Sequence, residues 1–171
     1  FAILAKITEE EAKEYIDKYF KKYYYVKSFQ VAYPSEVKRV GYATTVLGRR
    51  RYLPDITLDK VSKEAWKRVS AAEREALSTL IQGSASDILK LAMIRADQQG
   101  IVLVGQIHDQ LLATDKADTV VSSAKTLKDC MENCGLTFDV PIIAVVNIMD
   151  RWEAEPDDVI EDTDEETESE E

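Results

Sequence analysis

His108, Asp109 and Gln110 interrupt two apolar runs in IVLVGQIHDQLLAT, residues 101–114. Short apolar runs on either side of a polar tripeptide predict a tight β-hairpin with the polar residues at the turn. A carboxylate at such a turn is held rigidly and points out of the sheet. Hard cations such as Mg²⁺ take oxygen ligands and bind through one or two carboxylates plus substrate phosphates. Two such ions, about 3.5–4 Å apart, clamp the attacking and leaving oxygens of a phosphoryl transfer. The competing reading of Asp109 is a solvated turn residue, because Asp is common in turns.

A second set lies upstream. Arg74, Ser78 and Gln82 follow i, i+4, i+8 and form one polar stripe on an otherwise apolar helical pattern. Arg and Gln donate to base-edge acceptors and to sugar-phosphate oxygens; a solvated helix face is the alternative. Arg49, Arg50 and Arg51 stand between Gly48 and Tyr52. Guanidinium groups pair bidentately with phosphates, and a charged hairpin rim has the same composition. The run Tyr23, Tyr24, Tyr25 reads as packing more readily than as a base-stacking platform.

These residues need elements to position them. Thr8 to Glu11 forms a capping box, and Ile16, Phe20 and Tyr23 continue an apolar face, so a helix is expected over about 9–23, continuing toward 33. Pro34 is expected to end it or to form a turn. GYATTVLGRRRYLP, residues 41–54, predicts a hairpin or two short strands. Residues 55–70 read as a polar connector. Residues 70–99 predict a long helix capped by Ser70 and Glu73, with Leu77, Leu80, Ile81, Ile88, Leu91 and Ala92 at helical spacing and Gly100 ending it. Gly83 stands in its middle, where Gly costs up to about 1 kcal/mol relative to Ala, which points to a close approach to the backbone. A helix over 116–134 is expected to bury Val120, Val121, Ala124, Leu127 and Met131. Residues 140–148, VPIIAVVNI, predict a buried strand. The order gives an α+β fold, an antiparallel sheet packed with helices.

Of 171 residues, 45% are apolar and 32% charged, which suits one domain or a large piece of one. No apolar run reaches the ~18 residues of a membrane span, and no signal peptide is visible; an intracellular location, cytoplasmic or nucleoid-associated, is expected. The first residue, Phe1, suggests a fragment or a processed product. Cys130 and Cys134 read as reduced core cysteines, since a metal reading needs two more ligands. The net charge of −10 is unevenly spread: residues 150–171 hold 13 acids and one base, whereas residues 18–74 hold 14 bases and 5 acids. The acidic end, residues 153–171, reads as a disordered tail.

Five segments occur in order: EEAKEYIDKYFKKY, GYATTVLGRRRYLPDI, AEREALSTLIQGSASDILKLAM, GQIHDQLL, and VPI followed by Trp152. Together they resemble the family A DNA polymerases, the class of bacterial DNA polymerase I, over residues 8–152. The resemblance implies that residues 1–152 are the C-terminal part of a polymerase palm. QIHDQ is similar to the family's motif C, usually His-Asp-Glu. Asp109 would then be a catalytic aspartate that binds Mg²⁺ at the primer 3′ end, with His108 beside the primer terminus and Gln110 in a supporting place. Arg74, Ser78 and Gln82 match positions that contact the minor groove of the template-primer. Arg49, Arg50 and Gln106 would lie near the duplex. Minor-groove acceptors are nearly uniform across base pairs, so donors there test shape without reading sequence.

The sequence departs from the family pattern at Gln110, in place of an acid, at Ser78, in place of Asn, and at Tyr24 and Tyr25, in place of Pro-Gly. Neither the first catalytic aspartate motif, motif A, nor the nucleotide-binding fingers helix, motif B, is present. The resemblance thus implies a DNA-directed DNA polymerase portion, inactive alone, that meets primer-template DNA and dNTPs and is completed by an N-terminal portion in the same chain or a separate subunit. The two-metal Mg²⁺ site would be completed by that portion's aspartate. A primer-template binding module without turnover is the alternative. A third reading is an interaction protein that uses its acidic tail, whose function would be lost on deleting residues 153–171.

Overall fold

A computed structural model describes residues 2–151 and the backbone of the strand Asp158–Ile160. The chain divides into two units, Phe1–Ser84 and Ala85–Glu171.

In the first unit a one-turn helix, α1 (Ala2–Ala5), precedes α2 (Glu9–Lys22). The expected capping box is complete. The Thr8 hydroxyl oxygen accepts from the Glu11 N–H, and the Glu11 carboxylate accepts from the Thr8 N–H. Three glutamates in the first turn and Lys21 and Lys22 in the last complement the helix dipole. Tyr23 breaks the run, and α3 (Tyr24–Val40) follows.

Pro34 does not end this helix; it lies inside α3 and is buried. The ring removes one N–H, so the Gln30 carbonyl loses its helical partner. Gln30 is exposed. The terminator is Gly41, in the left-handed region at φ +81°, a conformation that glycine adopts without strain. The hairpin expected at 41–54 forms: β1 (Tyr42–Thr44) pairs antiparallel with β2 (Arg50–Tyr52), Tyr42 opposite Tyr52. A 3₁₀ turn, Pro54–Thr57, leads toward the long helix α4 (Lys63–Gln98).

The start of α4 corrects the expectation of a connector over 55–70. Ser62, not Ser70, caps the helix; its hydroxyl oxygen accepts from the Ala65 N–H at 3.1 Å. Asp55 pairs with Arg68, and Lys60 with Glu73. Val69 is fully buried although the segment around it is polar. The core of this unit joins Val37, Ala43, Leu53, Ile56, Ala72 and Ala76, with Tyr33 packed against it.

In the second unit β3 (Val102–Ile107) pairs antiparallel with β4 (Gln110–Thr114). Helix α5 (Val120–Glu132) follows, then β5 (Val146–Ile148), which pairs antiparallel with β6 (Asp158–Ile160). Ala96, Ile101, Leu127 and Cys130 form the core, with Leu103, Leu111 and Met131 against it. Both cysteines are buried and free.

Three expectations are corrected here. Val121 is 45% exposed, because Ala124, Leu127 and Met131 share a face with Val120 and Val121 is a hundred degrees off it. On α4, Ile81 is 62% exposed. Residues 140–148 are not one buried strand. Val140, Ile143 and Val145 are exposed, and only 146–148 is strand. Pro141 cannot donate to a ladder. The Ala144 N–H donates to the Glu132 carboxylate at 2.8 Å, so a side chain of α5 takes the bond a neighbouring strand would need.

The architecture is α+β, with three two-stranded antiparallel sheets among the described residues. The tail expectation covers 153–171; within it Asp158–Ile160 is strand, and the rest, with Trp152, lies outside the described residues. No helix among the described residues is long and apolar enough to cross a membrane.

Candidate active site

The residues singled out by chemistry fall into two sets, one in each unit. In the second unit they surround the β3–β4 turn. Ile107 faces Gln110 in the ladder, so the turn consists of His108 and Asp109 alone, and Gln110 opens β4. Two-residue hairpin loops favour positive φ at the first central position. His108 supplies it at φ +54°, a conformation uncommon for a residue with a Cβ. The Gln106 side-chain amide donates to the His108 carbonyl at 3.1 Å and closes the turn. That gives Gln106 a defined role on this surface. A bulge between Leu103 and Gly105 increases the local twist of β3.

Asp109 is exposed and its carboxylate makes no hydrogen bond or ion pair with the described residues. His108 and Gln110 are exposed as well, with open side chains. Strain concentrated at a turn that presents an open carboxylate is a pattern of functional sites. The oxygen donors suit a hard cation. No group of three or more His, Cys, Asp or Glu side chains that could hold a metal ion exists among the described residues. Asp109 thus offers one anchor for a cation, and the described residues do not form a closed cage.

In the first unit Arg74, Ser78 and Gln82 are all exposed along α4. The Ser78 hydroxyl donates to the Gln82 side-chain oxygen at 3.2 Å, which leaves the Gln82 NH₂ facing outward as a donor. Arg74 makes no ion pair among the described residues. The expected polar stripe is present, with two donor groups.

The three arginines of the hairpin are each engaged differently. Arg49 reaches α4, where its guanidinium donates to the Gly83 carbonyl at 3.1 Å. Arg50 lies over the Tyr42 ring at 4.6 Å. Arg51 pairs with Glu75 at 3.1 Å. Gly83 explains itself at this contact: a Cβ there would meet the Thr45 methyl at 2.9 Å. The Val46 N–H donates to the Ser84 hydroxyl at 2.9 Å beside it. The hairpin is thus docked on α4 through a glycine, a serine and an arginine. Sequence patterning pointed to the close approach at Gly83 but not to Ser84, whose hydroxyl carries no periodic signal.

Comparison with known proteins decides the kinship. The model of DNA polymerase family A matches residues 1–154. DNA polymerase I of Geobacillus stearothermophilus is 37% identical over 142 residues, 80% of this chain and 16% of that protein. DNA polymerase I of Borreliella burgdorferi is 34% identical over 152 residues, 85% of this chain and 16% of that one. Among solved structures, the POL domain of Pol1 from M. smegmatis, in complex with DNA primer-template and dNTP, superposes with a TM-score of 0.71 at 36% identity. It covers 82% of this chain and 25% of that one.

The chain belongs to DNA polymerase family A.

It spans about a sixth of the length of the curated family A relatives it matches. Within this family A chain, the His108-Asp109 turn is followed by Gln110, where the motif that this segment resembles carries an acid. The Gln110 amide keeps the shape of that acid without its charge. The Ser78 hydroxyl, shorter than Asn, is spent on Gln82.

Proposed function

We propose that residues 1–152 are the C-terminal palm portion of a DNA-directed DNA polymerase, acting in template-dependent nucleotidyl transfer during replication or repair. In that reaction a primer 3′-hydroxyl attacks the α-phosphate of a dNTP, a phosphodiester bond forms, and pyrophosphate leaves. The observation that carries the reading is Asp109: an exposed, unpaired carboxylate on a strained two-residue turn, in a chain of this family. The POL domain it superposes on was solved with primer-template DNA and dNTP.

Each residue has a role in this reading. Asp109 holds one Mg²⁺ at the primer 3′ end. The ion, when bound, supplies positive charge against the phosphate oxygens. Gln106 keeps the turn closed through the His108 carbonyl. His108 lies beside the primer terminus, and Gln110 supports the turn. Arg74 and Gln82 donate to minor-groove acceptors, Ser78 orients Gln82, and Arg49 and Arg50 lie near the duplex. Such a protein works mostly by positioning and by preorganised electrostatics. One carboxylate does not place two ions, so a portion carrying motifs A and B, from the same chain or another subunit, completes the site.

A second reading for the chain in isolation, a primer-template binding module without turnover, rests on Gln110 in place of the usual acid and on a single candidate carboxylate at the turn. Primer extension separates the two. The purified 171 residues should bind primer-template yet extend nothing, and adding a fragment with motifs A and B should restore extension. Duplex binding that no such fragment converts into extension leaves the binding module standing.

A further inference from the structure

The elbow between α2 and α3 carries a feature that the duplex-binding reading leaves unused. From Lys18 to Val31 the sequence reads KYFKKYYYVKSFQV, with four lysines, six aromatic rings and no acid. Apolar rings at such density ordinarily pack inward. Here they do not. Tyr19 is 51% exposed, Tyr23 45%, Tyr24 53% and Tyr25 74%. Ala12 is the one buried residue of α2, and the buried residues of α3 are Pro34 and Val37, beyond the elbow.

The rings form two groups, Phe20–Tyr19–Tyr23 and Tyr24–Tyr25. Tyr19 meets Phe20 at 5.3 Å and Tyr23 at 5.0 Å between centroids, and Tyr24 meets Tyr25 at 3.9 Å. Tyr15, Ile16, Tyr19 and Phe20 line an open apolar depression of about 400 Å³ beside them. The ammonium groups sit among the rings: Lys22 lies 5.4 Å from the Tyr23 centroid and Lys27 4.6 Å from that of Phe20. Lys18 pairs with Glu14, but Lys21, Lys22 and Lys27 make no ion pair with the described residues.

We infer that this elbow binds single-stranded nucleic acid, with unpaired bases stacking on Tyr23, Tyr24 and Tyr25 and the backbone phosphates meeting Lys21, Lys22 and Lys27. Charge complementarity selects a polyanion. Exposed ring faces select unpaired bases, because duplex bases already spend their faces on each other. A single strand satisfies both, and base–aromatic stacking with a basic track is how such strands are held without sequence preference. The site lies on α2 and α3, away from the Arg74 stripe in sequence, and does not depend on the polymerase reading.

Fluorescence anisotropy of the full chain with a labelled oligo-dT strand and with a duplex hairpin tests this. Tyr24→Ala with Tyr25→Ala should weaken oligo-dT binding about tenfold or more and leave duplex binding unchanged. Tyr24→Phe with Tyr25→Phe keeps the ring faces and should bind as the parent does. Should the alanine pair disturb folding, Lys21→Gln with Lys22→Gln and Lys27→Gln decides; it should weaken oligo-dT binding and lower the slope of log affinity against log salt by about 2. Oligo-dT affinity unchanged in the alanine and lysine variants overturns the inference. So does a parent chain that does not bind oligo-dT, which would leave the patch to a protein partner.

Discussion

A single backbone angle says much about the turn. His108 adopts φ +54° with a full side chain, and the Gln106 amide holds the carbonyl that results. Gly83 shows the opposite device, a missing side chain that admits a neighbour. The Thr45 methyl would stand 2.9 Å from a Cβ there. Thr45 is buried. Gly83→Ala gains up to about 1 kcal/mol of helix propensity, but overpacking costs about 1–3 kcal/mol. The expected outcome is a net loss of about 1 kcal/mol in urea unfolding; a stabilised variant would show that the hairpin does not bear on α4 there. The sequence announced this site through a glycine in mid-helix. It could not name the partner, because Thr45 lies 38 residues upstream and nothing local links them.

At the scale of elements, local chemistry was legible and long-range competition was not. The Thr8–Glu11 box, both hairpins and the glycine stop after α4 form through neighbours in sequence. Thr8→Ala should cost about 1 kcal/mol, read as a lower urea midpoint with unchanged slope. Pro34 misled because its lost bond falls at Gln30, an exposed residue. The start of α4 was hidden because Asp55–Arg68 and Lys60–Glu73 pairs make a helix flank look like a polar loop. The run at 140–148 looked like a buried strand until Glu132 took its amide. A second local device joins β4 to α5. The Asp115 carboxylate accepts from the Ser123 hydroxyl and the Lys116 N–H, which hold its pKa below the ordinary carboxylate range. A lowered folded pKa means that the contribution is complete above the unfolded value and is lost as pH falls through the folded one. The melting-temperature difference between the parent and Asp115→Asn should therefore be largest near neutral pH and shrink below about pH 4. A difference that grows on acidification would reverse the sign and reject the account.

For the whole molecule, charge is segregated along the chain. Residues 161–171 hold eight acids and no base, so their removal brings the net charge from −10 to −2 while keeping β6. Truncation after Ile160 should raise duplex affinity at low salt, with the gain fading as ionic strength rises. Loss of DNA binding on truncation would favour the tail as the working part. The candidate site residues were legible only partly from residue types: Asp109 and the Arg74 stripe stand out by pattern, whereas the exposed elbow aromatics look like core until a fold shows them uncovered. The most direct measurement is steady-state primer extension by the chain assembled with a portion carrying motifs A and B, comparing the parent with Asp109→Asn. The account predicts a rate lowered by far more than tenfold with duplex binding nearly intact; retention of more than about a tenth of the rate, a barrier change under about 1.4 kcal/mol, would contradict it.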